Sequence, residues 1–103
     1  MIDTDKVFAI SRAATARFGM DSTFQTLARL TEELGEIASE VNAREGSIPK
    51  GTKRENGQNL SREIHDLLRG IAQLVDHYDL LDELNEAIAT SHGLWVDGRY
   101  IRE

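Results

Sequence analysis

The stretch LTEELGEIASE, Leu30 to Glu40, sets Glu32, Glu33, Glu36 and Glu40 beside Leu30, Leu34 and Ile37. Apolar groups recurring at three- and four-residue spacing mark an amphipathic helix. Crowding carboxylates against the packing stripe of such a helix has two readings. One is a solvated helix face. The other is a binding site for a divalent cation.

Outward from this stretch the same period persists, and no segment alternates over strand length, so the expected fold is all-α and four-helix, bundle-like. The first helix is expected over Thr4 to Phe18, with Val7, Ile10, Ala14 and Phe18 on one face and Gly19 as its stop. The second starts after Asp21 or Ser22, either of which can cap it, and runs to Asn42. The third spans Leu60 to Tyr78. The fourth spans Leu81 to Ser91, with Gly93 just beyond. Between the second and third lies a basic loop, residues 43–59, holding Gly46, Pro49, Gly51, Gly57, Lys50, Lys53 and Arg54. Residues 93–103 form a tail. All 103 residues are expected to make one domain.

Apolar residues make up 40% and charged residues 29%, as in globular proteins. The chain has no cysteine, so a disulfide framework and a zinc–thiolate site are excluded. That usage fits a reducing cytoplasm, the expected location. No apolar run reaches bilayer length and the N-terminus carries no signal-peptide core, so no membrane partner is expected. A net charge of −6 argues against nucleic acid as a partner, because phosphate backbones require concentrated Lys and Arg. A chain this short builds a small core, which makes subunit association an expectation.

At 100° per residue, Glu33, Glu36 and Glu40 fall in one sector of the second helix, beside the stripe Leu27, Leu30, Leu34, Ile37 and Val41. The third helix repeats the plan with Leu60, Ile64, Leu67, Ile71, Leu74, Val75 and Tyr78. Glu63 and Asp66 border that stripe at the offset of Glu33 and Glu36, and Gly70 falls where Glu40 does. Packed antiparallel, the two helices would bring four carboxylates to one flank. Two unit charges about 4 Å apart repel by roughly 4 kcal/mol at an effective dielectric of 20. Several such pairs would rival the whole stability of a small domain, roughly 5–15 kcal/mol. The carboxylates must splay, protonate or share a cation. All-oxygen ligands select a hard ion, Mg²⁺ first and Mn²⁺ second.

EELGE followed, after the basic loop, by EIHDLL resembles the MazG-like nucleoside triphosphate pyrophosphohydrolases, an all-α superfamily that includes dimeric dUTPases. Their signature is E-x-x-E, a spacer, then E-x-x-D; Glu33, Glu36, Glu63 and Asp66 fit it. The resemblance covers about residues 5 to 90, including DLLDELNEAI at the start of the last helix. It implies Mg²⁺-dependent hydrolysis of NTPs or dNTPs to monophosphate and pyrophosphate, serving nucleotide-pool cleaning. It also implies that Glu33, Glu36, Glu63 and Asp66 are the metal ligands, that Glu32 is the water-activating base, and that Glu40 acts on the metal through water. A homodimer or homotetramer is implied, with the tail reaching across an interface. Many relatives carry a Lys and an Asn late in the last helix; here the region reads AIATSHGLW. Lys50, Lys53, Arg54 and Arg99 are the substitute candidates for phosphate contact.

The remaining candidates have bland readings beside sharp ones. His77 reads as a polar-face residue or a substrate contact near the Glu63–Asp66 sector. Trp95 reads as a packing or interface residue before a base-stacking one. His65 reads as a surface residue turned away from the carboxylates. Phe18, Phe24 and Tyr78 read as core. Two rival functions stay open. LSREIHDLLRG also resembles the histidine box of sensor-kinase dimerisation helices, which suggests a phosphotransfer module. A non-catalytic helical interaction protein is the other.

Overall fold

The computed structural model describes residues 1–46 and 59–98. Four α-helices make up the fold: α1 Thr4–Phe18, α2 Thr23–Arg44, α3 Leu60–His77 and α4 Leu81–Trp95. No strand occurs among the described residues, so the all-α expectation holds.

The helix ends follow from local chemistry. Asp3 caps α1 by accepting the Lys6 N–H through Oδ1 at 3.2 Å. Gly19 ends it at φ 83°, and its N–H donates to the Thr15 carbonyl. Ser22 opens α2 with a capping box. Its Oγ accepts the Gln25 N–H at 3.1 Å, and Gln25 Oε1 accepts the Ser22 N–H at 3.0 Å. Removing such a cap costs about 1 kcal/mol. After α3, Asp79 sits at φ 53°. The Asp79 N–H donates to the Asp76 carbonyl and the Leu80 N–H to that of Val75. This is a Schellman ending in which an aspartate, one of the few side chains tolerant of this region, takes the place usual for glycine. α4 differs from expectation. It continues through Gly93, which is buried within the helix, and ends at Trp95.

α2 and α3 pack antiparallel, as the paired contacts show: Arg29 with Gln73, Leu30 with Gly70, and Glu40 with Asn59. Rising numbers on one helix meet falling numbers on the other. At Gly70 the Leu30 side chain of α2 fills the space a side chain would take. A methyl group there would stand 2.6 Å from Leu30 Cδ2 and 3.3 Å from its Cγ. α1 lies on α3 and is held by a two-pronged pair. Arg12 Nε donates to Asp76 Oδ2 at 2.9 Å, and Arg12 Nη2 to Oδ1 at 3.0 Å.

The interior is thin. Among the described residues only Ala72 and Val75 are buried apolar side chains. Much of the stripe expected to form the core lies open: Leu27, Leu34 and Val41 on α2, Ile64 and Ile71 on α3, and Tyr78 just past its end. Phe18 and Phe24 are 80% and 83% exposed, so neither is core. Each open triplet recurs every seventh residue. Taking the Leu30–Gly70 contact as the facing direction, both triplets project to one side of the α2–α3 pair, and α1 covers the other. α4 leaves Leu84, Ile88 and Leu94 exposed as well.

Candidate metal centre

The flank of the α2–α3 pair that shares its side with α1 collects the acids. α2 contributes Glu33 and Glu36, one turn apart, and the antiparallel register brings Glu63 of α3 opposite them. One carboxylate oxygen from each of the three lies within 4.8 Å of the others. Glu33 and Glu63 are half-buried and Glu36 is exposed. Glu33 Oε2 and Glu63 Oε2 are buried with no hydrogen-bond donor.

Such crowding disfavours ionisation. The Glu63 carboxyl is pushed up to about 8, first by a shared hydrogen bond with Glu36 and then by burial. Glu33 is raised chiefly by burial, and the charges of Glu36 and Asp66 add to it, while a hydrogen bond with Glu63 acts in the opposite sense. Asp66 is thus close enough to act on Glu33, although it stands outside the tight trio. One turn beyond Glu36, Glu40 is completely buried. Its Oε2 accepts the Asn59 N–H at 3.3 Å, and its Oε1 has no donor. Donor-less buried carboxylate oxygens of an all-oxygen set are what a hard divalent cation satisfies. The residues present therefore fit the ion that the sequence suggested.

The other candidates distribute as follows. Glu32 is exposed on α2, next in chain to Glu33. His77 does not join the trio. It is exposed at the end of α3, about 16 Å along the axis from Asp66. There it lines a hollow with Arg12, Thr15 and Met20, its ring edge-on to Tyr78 at 4.7 Å. Trp95 stands 68% exposed at the end of α4. Lys50, Lys53, Arg54 and Arg99 lie outside the described residues. His65 departs from its expected place: Nδ1 comes within 3.0 Å of Asp66 Oδ1, so it leans toward the acids.

Sequence reasoning passed over two arginines. Arg29 and Arg69 line a concavity with Ser11, Thr15, Phe18 and Gln73, between the end of α1 and the acidic flank. The signal was present. Each arginine stands one turn beyond a motif acid on its own helix, Arg29 four residues before Glu33 and Arg69 three after Asp66.

An all-helical domain with a carboxylate cluster between two antiparallel helices is thus the class defined by fold and site. The chain is similar to the uncharacterized protein YpjD of Bacillus subtilis (strain 168), 39% identical over 71 residues. The match covers 68% of this chain and 63% of that protein, so the chain spans less than two thirds of its relative. No family model and no solved structure matches.

Proposed function

We propose that this chain is a Mg²⁺-dependent nucleoside triphosphate pyrophosphohydrolase of the MazG-like type, cleaving NTPs or dNTPs to the monophosphate and pyrophosphate. The observation that carries this reading is the convergence of Glu33, Glu36 and Glu63 on one point, with buried oxygens lacking donors. Spacing alone allowed the acids to diverge, whereas one oxygen from each of the three lies within 4.8 Å of the others.

In this reading Glu33, Glu36 and Glu63 hold the cation, and Asp66 completes the set. A divalent ion bound there supplies charge neutralisation for the triphosphate and a lowered pKa for attacking water. Glu32, exposed beside Glu33, accepts the proton that water loses as its oxygen attacks the α-phosphorus and the α–β anhydride bond breaks. Phosphoryl transfer asks for little beyond such positioning and electrostatics. Pyrophosphate release, screened over canonical and modified nucleotides with and without Mg²⁺, tests the proposal. Absence of metal-dependent release from every nucleotide would refute it.

The acting species in this reading is a homodimer or larger homo-oligomer. Leu27, Leu34, Val41, Ile64, Ile71 and Tyr78 form an apolar face of two heptad-spaced stripes on one antiparallel helix pair. A second copy is the occupant that suits it: two such pairs laid face to face make a four-helix bundle with matched stripes. That only two apolar side chains are buried among the described residues supports the same conclusion.

One observation favours the phosphotransfer reading, the exposed His65 held by Asp66. His65→Gln separates the two: it abolishes phosphoryl acceptance and leaves pyrophosphohydrolysis largely intact.

A further inference from the structure

The concavity lined by Arg29 and Arg69 concentrates positive charge on a chain whose net charge is −6. The two arginines differ. Arg29 is committed, pairing with Asp21 and donating from Nη2 to Gln73 Oε1 at 3.2 Å. Arg69 is half-buried and, among the described residues, makes no ion pair or hydrogen bond. A guanidinium drawn partly out of water with no acceptor is costly unless an anion completes it. The surrounding groups suit an oxyanion: Thr15 supplies a hydroxyl, Gln73 an amide, and Arg29 holds the far wall. Asp21 neutralises one of the two positive charges and leaves the pocket net positive.

The position is as telling as the composition. Arg29 lies about 6 Å before Glu33 along α2, and Arg69 about 4.5 Å beyond Asp66 along α3. On the helical wheel both arginines fall on the side of the α2–α3 pair that carries α1 and the acidic trio. The pocket therefore lies on the same flank as the carboxylates, one to two helical turns along the axis, in the direction a polyphosphate resting on them would extend. The geometry points to Arg69, backed by Arg29, as a phosphate seat adjoining the acidic cluster. This assignment rests on the pyrophosphohydrolase reading for its ligand but not for its charge. It places phosphate recognition on α2 and α3, apart from Lys50, Lys53, Arg54 and Arg99.

The test uses inorganic pyrophosphate as the probe, titrated calorimetrically into the full chain with chelator present and ionic strength held constant. Wild type binds saturably. Arg69→Gln weakens binding by about 10- to 100-fold, the loss expected for a charge-assisted contact, and Arg69→Lys weakens it less. Glu63→Gln does not weaken it. Arg69 is the residue to change because, among the described residues, it makes no ion pair or hydrogen bond, and melting curves check that each variant folds. No saturable binding by wild type, or equal binding by Arg69→Gln, overturns the seat. Nucleotide assays separate the two claims. Metal-dependent hydrolysis with KM unchanged in Arg69→Gln removes the seat and keeps the enzyme. Arg69-dependent pyrophosphate binding without hydrolysis of any nucleotide does the reverse.

Discussion

Gly70 of α3 lies directly against Leu30 of α2, so that a methyl group at position 70 would stand 2.6 Å from Leu30 Cδ2. This contact sets the register that brings Glu63 opposite Glu33 and Glu36. Gly70→Leu must therefore displace the Leu30 side chain or push the helices apart. We expect a loss of roughly 1–3 kcal/mol in urea unfolding from overpacking, after the gain of nearly 1 kcal/mol in helix propensity has been offset. Leu30→Ala in the same chain recovers part of it, because the two sites share one space. A Gly70→Leu chain as stable as wild type contradicts this picture of the packing.

Glu36→Gln should remove one repelling charge from the cluster, and Glu63→Gln should replace a carboxyl that stays protonated there with a neutral amide. The metal-free variants then melt at or above the wild-type temperature, while the Mg²⁺-dependent rise in melting temperature disappears. Nucleotide hydrolysis falls by at least about 100-fold, since loss of even a supporting group at a metal site costs 10–100-fold. A Mg²⁺ shift that survives both substitutions would place the ion elsewhere.

Stability of the metal-free protein should fall as pH rises across the window from about 4.5 to about 8. Glu63 is raised to about 8 in the folded chain, from an ordinary value of 4.5. Between those values the folded state keeps a proton that the unfolded state has released, and stability then decreases with pH. The contribution is fully present below the lower value and lost above the higher. Glu33 is raised as well and acts in the same direction. Melting temperatures in chelator over this range, compared with Glu63→Gln, isolate the effect. Added Mg²⁺ flattens the slope by taking the proton's place. Parallel curves for the two proteins in chelator would show that Glu63 does not titrate as described.

Leu34 is 59% exposed and Ile71 42%. If these stripes form the seam between two copies, Leu34→Asp and Ile71→Asp each put a carboxylate into it. Light scattering on the eluting peak should change from dimer mass or higher to monomer mass. Surface aspartates on a truly solvent-facing stripe would leave the mass unchanged.

The helical wheel made the acidic flank legible, because a fixed angle per residue places Glu33, Glu36 and Glu63 on stripe borders before any coordinates exist. What the wheel cannot say is what a stripe packs against. Leu27, Leu34 and Val41 read as core by periodicity, yet they sit on the uncovered side of the hairpin. Arg29 and Arg69 escaped notice for a related reason. They meet only across two helices, at a register decided by the absence of a side chain at Gly70. His65 was misjudged because its ring is long enough to swing toward the neighbouring Asp66 despite the angle between them. Gly93 looked like a helix stop, but α4 runs on through it.

Asn59 donates its backbone N–H to the sealed-in Glu40, two residues nineteen positions apart in the chain. The contact ties the last turns of α2 to the residue before α3. Closing a longer span costs only about 0.6 kcal/mol for each doubling. Segments of different size could thus be grafted between these two anchors while the carboxylate flank stays as it is, leaving room for one scaffold to acquire new ligand preferences.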